Sequence, residues 1–277
     1  MRATTLEQKG PLFWILFLIV IVTILLPVYW LVVTAFKSPL ENISTVPVFL
    51  PAKLYLKNFV EVIRGGFFGN LYNTLFVAVF STLFSLVLSF LAGYALSRHR
   101  FPFHFNTVFL IWVLAVKILP PVVLAIPLYT LFVAAHLLNN LGGLIIVYQV
   151  YTLPYCIWML FGFFKALPSE YEQAARIDGA SNLGILWHIV LPLMRSGIAA
   201  TSIFSIIMAW DEFLFALLFL RDPALQTLPL KIVNFITEYE TLWGQLMAIG
   251  LLATLPLLLF SGYVYKKMSS GFTMSLK

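Results

Sequence analysis

Three ionisable side chains sit where a largely apolar chain should carry none: Lys117, Asp211 and Glu212. A lone charge near the centre of a bilayer costs about 2.5–3.5 kcal/mol on insertion scales, so such groups pair, face water or mark a solute path. Lys117 and Asp211 lie at similar depths in their segments. The reading is a Lys117–Asp211 or Lys117–Glu212 pair beside a transport pathway. Other chemistry is thinly supplied. His99, His104, His136 and His188 are scattered, without an H-E-x-x-H run or a His–carboxylate cluster. The single Cys156 provides neither a disulfide framework nor a metal cluster. No G-x-x-x-x-G-K-[ST] loop is present, so the chain does not hold ATP through that motif. A membrane enzyme is disfavoured, and no metal or cofactor is expected on this chain.

The elements that must position these charges are membrane helices. Of the 277 residues 61% are apolar and 10% charged, with mean hydropathy +0.97. A soluble domain carries about 25% charged residues, so lipid must solvate much of this surface. Six spans are predicted, at 10–36, 71–96, 105–132, 144–164, 196–220 and 242–265, giving an all-α polytopic fold with both termini on one side. Ten lysines and arginines, among them Arg2, Lys9, Arg98, Arg100, Lys266, Lys267 and Lys277, fall on the terminal side. Six fall on the other, including Lys37, Lys53, Lys57 and Arg64. That excess places the termini in the cytoplasm. The net charge of +6 belongs to headgroup anchoring, and no basic patch interleaved with aromatics suggests nucleic acid. Prolines interrupt several spans, and Pro120-Pro121 predicts a bend in the third.

One inner segment, 168–192, is too polar to span and too patterned to be a plain connector. Ser169 and Glu172 have the S-x-x-E spacing of a capping box. Tyr171, Ala174, Ala175 and Asp178 follow at helical spacing, a face kept flat by two alanines. Gly179 suits the left-handed residue that closes a helix. A second short helix is predicted at 183–189. A short helix with a small-residue face at the mouth of a bundle is suited to docking a partner.

The segment resembles the EAA loop of bacterial ABC importer permeases, E-A-A-x3-G-x9-I-x-L-P. Ala174-Ala175, Gly179 and Ile189-x-Leu191-Pro192 keep that spacing throughout. The motif's glutamate position holds Gln173, and Glu172 just before it is the candidate substitute. The stretches 174–180 and 210–213 resemble the carbohydrate-importing, maltose-permease-like branch. The resemblance implies a type I ABC importer transmembrane domain, divided as a first helix with outer loop (1–69), a core (70–268) and a cytoplasmic tail (269–277). It implies a cytoplasmic coupling helix between the fourth and fifth spans, on which Tyr171, Glu172, Gln173, Ala174, Ala175, Asp178 and Gly179 meet an ATPase. The partners implied are a homologous second permease, two ATPases that carry the ATP and Mg, and an extracytoplasmic solute-binding protein. The cargo would be a sugar and the location a bacterial or archaeal inner membrane. The alternative is a stand-alone secondary transporter or channel using Lys117, Asp211 and Glu212.

Overall fold

The computed structural model describes residues 10–237 and 240–274, with backbone alone for 264–274. Among them regular structure is helical, apart from an isolated bridge between Ile236 and Thr241. The helices of six or more residues are α1 (Pro11–Ala35), α2 (Lys57–Arg64), α3 (Phe67–Arg98), α4 (Phe105–Ile118), α5 (Pro121–Ala134), α6 (Leu141–Ala166), α7 (Glu170–Ile177), α8 (Arg195–Trp210), α9 (Leu214–Phe219), α10 (Leu228–Val233) and α11 (Trp243–Met274). Arg2, Lys9 and Lys277, used above for orientation, lie outside the described residues, as do the side chains of Lys266 and Lys267.

Four helices, α1, α3, α6 and Trp243–Tyr263 of α11, are each long and apolar enough to cross a bilayer. Two bent pairs raise the count to six if each is one span: Pro102–Ile118 with Pro121–Ala134 at 97°, and Asn182–Leu193 with Arg195–Trp210 at 71°. The bend predicted in the third span is therefore close to a right angle. Its cause is local. Leu119 precedes one proline and Pro120 precedes another, and a residue before proline is driven out of the helical region. Both adopt extended ψ of 131°. Each arm has 14 residues, or about 21 Å at ~1.5 Å per residue, so neither reaches across a core about 30 Å thick. Pro27, Pro127, Pro154 and Pro256 by contrast lie inside continuous helices. The fifth predicted span is also corrected: α8 stops at Trp210 and the helix restarts only at Leu214.

The chain forms two compact units, 1–67 with 232–255 and 68–231 with 256–277. Residues 232–255 thus group with the N-terminal region, not with the linear core 70–268. In the first unit α1 is exposed from Pro11 to Val20 and from Val22 to Trp30. Its C-terminal end is held by Asn58 of α2, whose Nδ2 donates to Ala35 O at 2.9 Å and Lys37 O at 3.0 Å. A Cβ at Gly244 would collide with that side-chain amide, so glycine leaves Asn58 its place beside the start of α11. Ser38 and Glu41 form a full capping box, and Glu41 Oε1 also accepts from Ala52 N at 2.8 Å.

In the second unit the helices approach through small and hydroxylated residues, as they do where lipid removes the hydrophobic drive for helix association. Ser81, Ser85 and Ser89 of α3 are all fully buried. Ser85 Oγ lies 2.5 Å from Gln149 Oε1 and 2.6 Å from Thr152 Oγ1 of α6, and Ser205 Oγ of α8 donates to Thr82 Oγ1 at 3.1 Å. Gly197 admits the Phe163 ring, which a Cβ would meet at 2.7 Å.

Candidate functional site

The 168–192 segment forms α7 and the irregular stretch Asn182–Leu193, which includes one π-helical run, Leu186–Val190. The helix predicted at 183–189 is present within this longer run, and its middle is wound as a π-helix. The C-terminal end of α7 closes as predicted. Gly179 has φ +83°, Ala180 N donates to Ala175 O at 3.0 Å and Gly179 N to Arg176 O at 3.1 Å. That is the paired bonding of a Schellman motif.

The N-terminal end departs from expectation. Ser169 has helical φ and ψ and its side chain caps no backbone amide; its Oγ instead accepts from Gln173 Nε2 at 3.3 Å. Glu172 is absent from the cap because stronger donors hold it. Arg98 Nε donates to its Oε1 at 2.7 Å and Tyr94 OH to its Oε2 at 2.9 Å. Arg98 also donates Nη1 to Phe164 O at 3.1 Å and Nη2 to Leu167 O at 2.9 Å. The guanidinium at the end of α3 thereby grips α7 and the carbonyl end of α6 together. The Glu172 side chain is buried, at 4% exposure, and that of Arg98 is partly buried, at 13%. Removing one partner of such a pair leaves an uncompensated charge, at a cost of about 3–5 kcal/mol.

Ala175 points inward as well. It packs into a cluster with Leu160 and Phe164 of α6, Ile185, Leu186, Val190 and Met194. The predicted flat face of two alanines is therefore divided, with Ala174 outside and Ala175 inside. Facing outward are Tyr171, Gln173, Ala174, Asp178 and Gly179, joined by Ile177, which is 88% exposed. Leu183 and Trp187 extend this apolar exposure. The carboxylate of Glu172, the candidate substitute for the motif glutamate at position 173, is held inward by Arg98 and Tyr94.

The candidate pathway charges do not meet. The ion pairs among the described residues are Lys57–Glu61 and Arg98–Glu172. Lys117 Nζ donates to Tyr151 O at 3.4 Å and lies 5.9 Å from the Tyr151 ring. Glu212 serves the restart of the fifth span: its carboxylate accepts from Phe215 N at 2.9 Å and Ala216 N at 3.2 Å. The free amides of α9 satisfy it without a lysine. Asp211 closes α8 and its side chain is exposed. The elbow of α4 and α5 encloses, with α6, a cavity of about 830 Å³ lined by Phe109, Trp112, Leu124, Leu128, Gln149 and Leu153 among others. None of its lining side chains is charged.

Sequence reasoning missed Arg98 and Tyr94, the groups that anchor the segment. Arg98 looked like one more positive charge at a span end, and nothing in its spacing linked it to a glutamate 74 positions on.

Residues 85–272, which include Arg98 and all of the anchored segment, match the family described as "Binding-protein-dependent transport system inner membrane component". The chain belongs to this family. It is a multi-pass permease subunit of an ATP-binding-cassette importer, and its membership displaces the stand-alone transporter or channel as an alternative. Similar permeases include the sulfoquinovosyl glycerol transport system permease protein of Agrobacterium fabrum, 33% identical over 95% of this chain and 92% of its own. The diacetylchitobiose uptake system permease protein of Streptomyces coelicolor is 32% identical over 92% of each chain. The trehalose/maltose transport system permease protein of Thermococcus litoralis is 32% identical over 89% of this chain and 90% of its own. Among solved structures, a chain of a bacterial ABC transporter involved in the import of the acidic polysaccharide alginate has the same fold, with TM-score 0.78 and 21% identity over 96% of this permease and 98% of that chain.

Proposed function

We propose that this permease carries a sugar, an oligosaccharide, disaccharide or related glycoside or polyol, and that α7 is the helix through which ATPase subunits drive it. The observation that carries the coupling role is the division of α7 into two faces. One is locked to α3 and α6 by Arg98 and Glu172, and the other presents Tyr171, Ala174 and Ile177 to a partner. A partner seated on the outer face moves the ends of two spans through the inner one. Relatives named for diacetylchitobiose, trehalose/maltose and sulfoquinovosyl glycerol transport support a sugar cargo. The reading includes a homologous second permease, two cytoplasmic ATPases that bind ATP and Mg, and an extracytoplasmic binding protein. It also includes a bacterial or archaeal inner membrane with both termini cytoplasmic, and no catalytic step on this chain.

The test replaces Ile177 with Arg in the assembled importer. A desolvated charge in the docking seam should detach the ATPases or uncouple their hydrolysis from uptake, while the permease still inserts. Full uptake of labelled sugar by I177R, with ATPases bound, would refute the coupling role.

A further inference from the structure

The second unit holds a cavity of about 770 Å³ in the crook where α3 ends and α4 begins, closed on a third side by the last turns of α6. Four side chains on its wall are basic and exposed: His99 and Arg100 just past α3, His104 before α4, and Lys165 in the last turn of α6. Arg98 borders it too, but Glu172 balances that charge. Among the described residues Arg100 and Lys165 have no ion pair, and no carboxylate lines the cavity. Leu110 and Phe161 lie about one turn further into their spans than Asn106 and Lys165, so the wall changes from basic to apolar toward the bilayer.

The turn between α3 and α4 is pinned. Asn106 Nδ2 donates to Leu96 O at 2.7 Å and to His99 O at 2.8 Å, and its Oδ1 accepts from Phe101 N at 3.1 Å. Phe103 and His104 have φ of +56° and +55°, in the left-handed region that bulky side chains rarely occupy. Strain of this kind persists only where the surrounding structure fixes it, and it collects at ligand clamps and switches. The Phe103 ring is 94% exposed at the level where two spans end and a third begins. A guest that suits this wall carries an anion at one end and hydrocarbon at the other. A free phosphate would leave the apolar wall and the Phe103 ring in water. A zwitterionic lipid would bring its own cation to a wall that already holds two.

We infer that this cavity binds the headgroup of an anionic glycerophospholipid. The Arg100 guanidinium and the Lys165 ammonium take its phosphodiester, one as a fork of donors and the other as a point charge. His99 and His104 add ring nitrogens for phosphate oxygens or headgroup hydroxyls. The acyl chains lie along Leu110, Phe161 and Phe103. Basic pockets between spans suit such headgroups, and the volume falls within the ~300–1,000 Å³ of small-molecule sites. The site requires only that the spans lie in a bilayer, whatever the cargo.

The experiment uses the complete importer, permeases and ATPases together, in a neutral detergent. Native mass spectrometry measures the affinity of the first bound phosphatidylglycerol, of phosphatidylcholine, and of glycerophosphoglycerol, the water-soluble deacylated headgroup. Phosphatidylglycerol should bind most tightly. Each cation at a membrane surface is worth about fivefold in affinity for anionic lipid, so Arg100→Gln with Lys165→Gln should weaken phosphatidylglycerol about 25-fold. The same variant should leave phosphatidylcholine unchanged, and Arg100→Lys with Lys165→Arg should keep most of the affinity. Arg98 stays intact, since it holds α7. Should the glutamine pair fail to assemble, Arg100→Gln alone is read, with a loss of about fivefold expected and none refuting. Equal binding of phosphatidylglycerol and phosphatidylcholine, or an unchanged affinity in the glutamine variant, would overturn the inference. Equal binding of the deacylated headgroup would make this a phosphate site and overturn the lipid assignment. Lipid that binds the permeases alone and is lost when the ATPases are present would assign the cations to a protein partner and overturn it as well.

Discussion

Arg98 holds three acceptors with one guanidinium, and its three bonds are not equivalent in what their loss leaves behind. Glu172→Gln removes the charge but keeps one acceptor oxygen for Arg98, while the Tyr94 hydroxyl can turn to accept from the new amide. Arg98→Met strands the Glu172 carboxylate and frees the Phe164 and Leu167 carbonyls as well. Arg98→Met should therefore be the more damaging of the two, by about 1–3 kcal/mol, in thermal unfolding of the detergent-solubilised permease. The exchange Arg98→Glu with Glu172→Arg should recover only part of the loss, since a glutamate at 98 cannot donate to two carbonyls. Two other residues show why a motif can be present and silent. Ser38 and Glu41 have the same S-x-x-E spacing as Ser169 and Glu172, yet only the first pair caps its helix. The difference lies in the long-range partners Arg98 and Tyr94, which no local pattern contains. The Glu41 carboxyl is held below the usual carboxylate range, first by the Ala52 amide and then by Ser38. A depressed acid contributes stability above its unfolded pKa and loses it as pH falls through the folded one. The 38–52 loop should thus become susceptible to proteolysis only below the ordinary carboxylate range, and Glu41→Gln should abolish that pH step.

At the scale of elements, Gly179 and the Pro120-Pro121 elbow could both be read from sequence because each rests on local backbone physics. Gly179 closes α7 with φ +83°, and a Cβ there would meet nothing within 4 Å. Gly179→Ala therefore costs only the strain of the left-handed region, about 1 kcal/mol. Uptake should fall modestly and the thermal midpoint slightly. Gly179→Asp adds a charge beside the exposed Asp178 and should damage ATPase docking more than stability. Comparing melting with co-purification for the two variants separates these effects. The fifth span was misread because hydropathy does not register where a helix stops. Trp210 to Leu220 is apolar enough to look continuous, but the Glu212 carboxylate takes the amides of α9 and turns the chain there. The same substitution of partners removed the expected bond to Lys117. Depth along two helices gives height in the membrane, and it leaves the azimuth of a side chain undetermined.

For the whole molecule, composition alone made the lipid environment and the all-helical class readable, and the EAA spacing picked out the segment for which docking is proposed. Grouping 232–255 with the N-terminal region was not readable, because it depends on contacts such as the Asn58 amide beside Gly244. Orientation is the molecule-level prediction. Single cysteines at Leu50 and Leu183, both exposed in connecting segments, can be introduced after Cys156→Ala. The Leu50 site should react with an impermeant maleimide added to intact cells and the Leu183 site only after lysis. The opposite pattern would reverse the assignment of sides.

The grip of Arg98 also has a mechanical meaning. A docking helix joined to its bundle by flexible chain alone would have backlash, and the first part of any partner's stroke would be lost in taking up slack. Here one planar, five-donor group spans three elements with bonds of 2.7–3.1 Å, and Ala175 seats the same helix in a packed apolar socket. Displacement of α7 is therefore displacement of the ends of α3 and α6 from its first fraction of an ångström. At the two extended residues Leu119 and Pro120, by contrast, the ladder of helical bonds is open, and the two arms of that span are not joined as one rod.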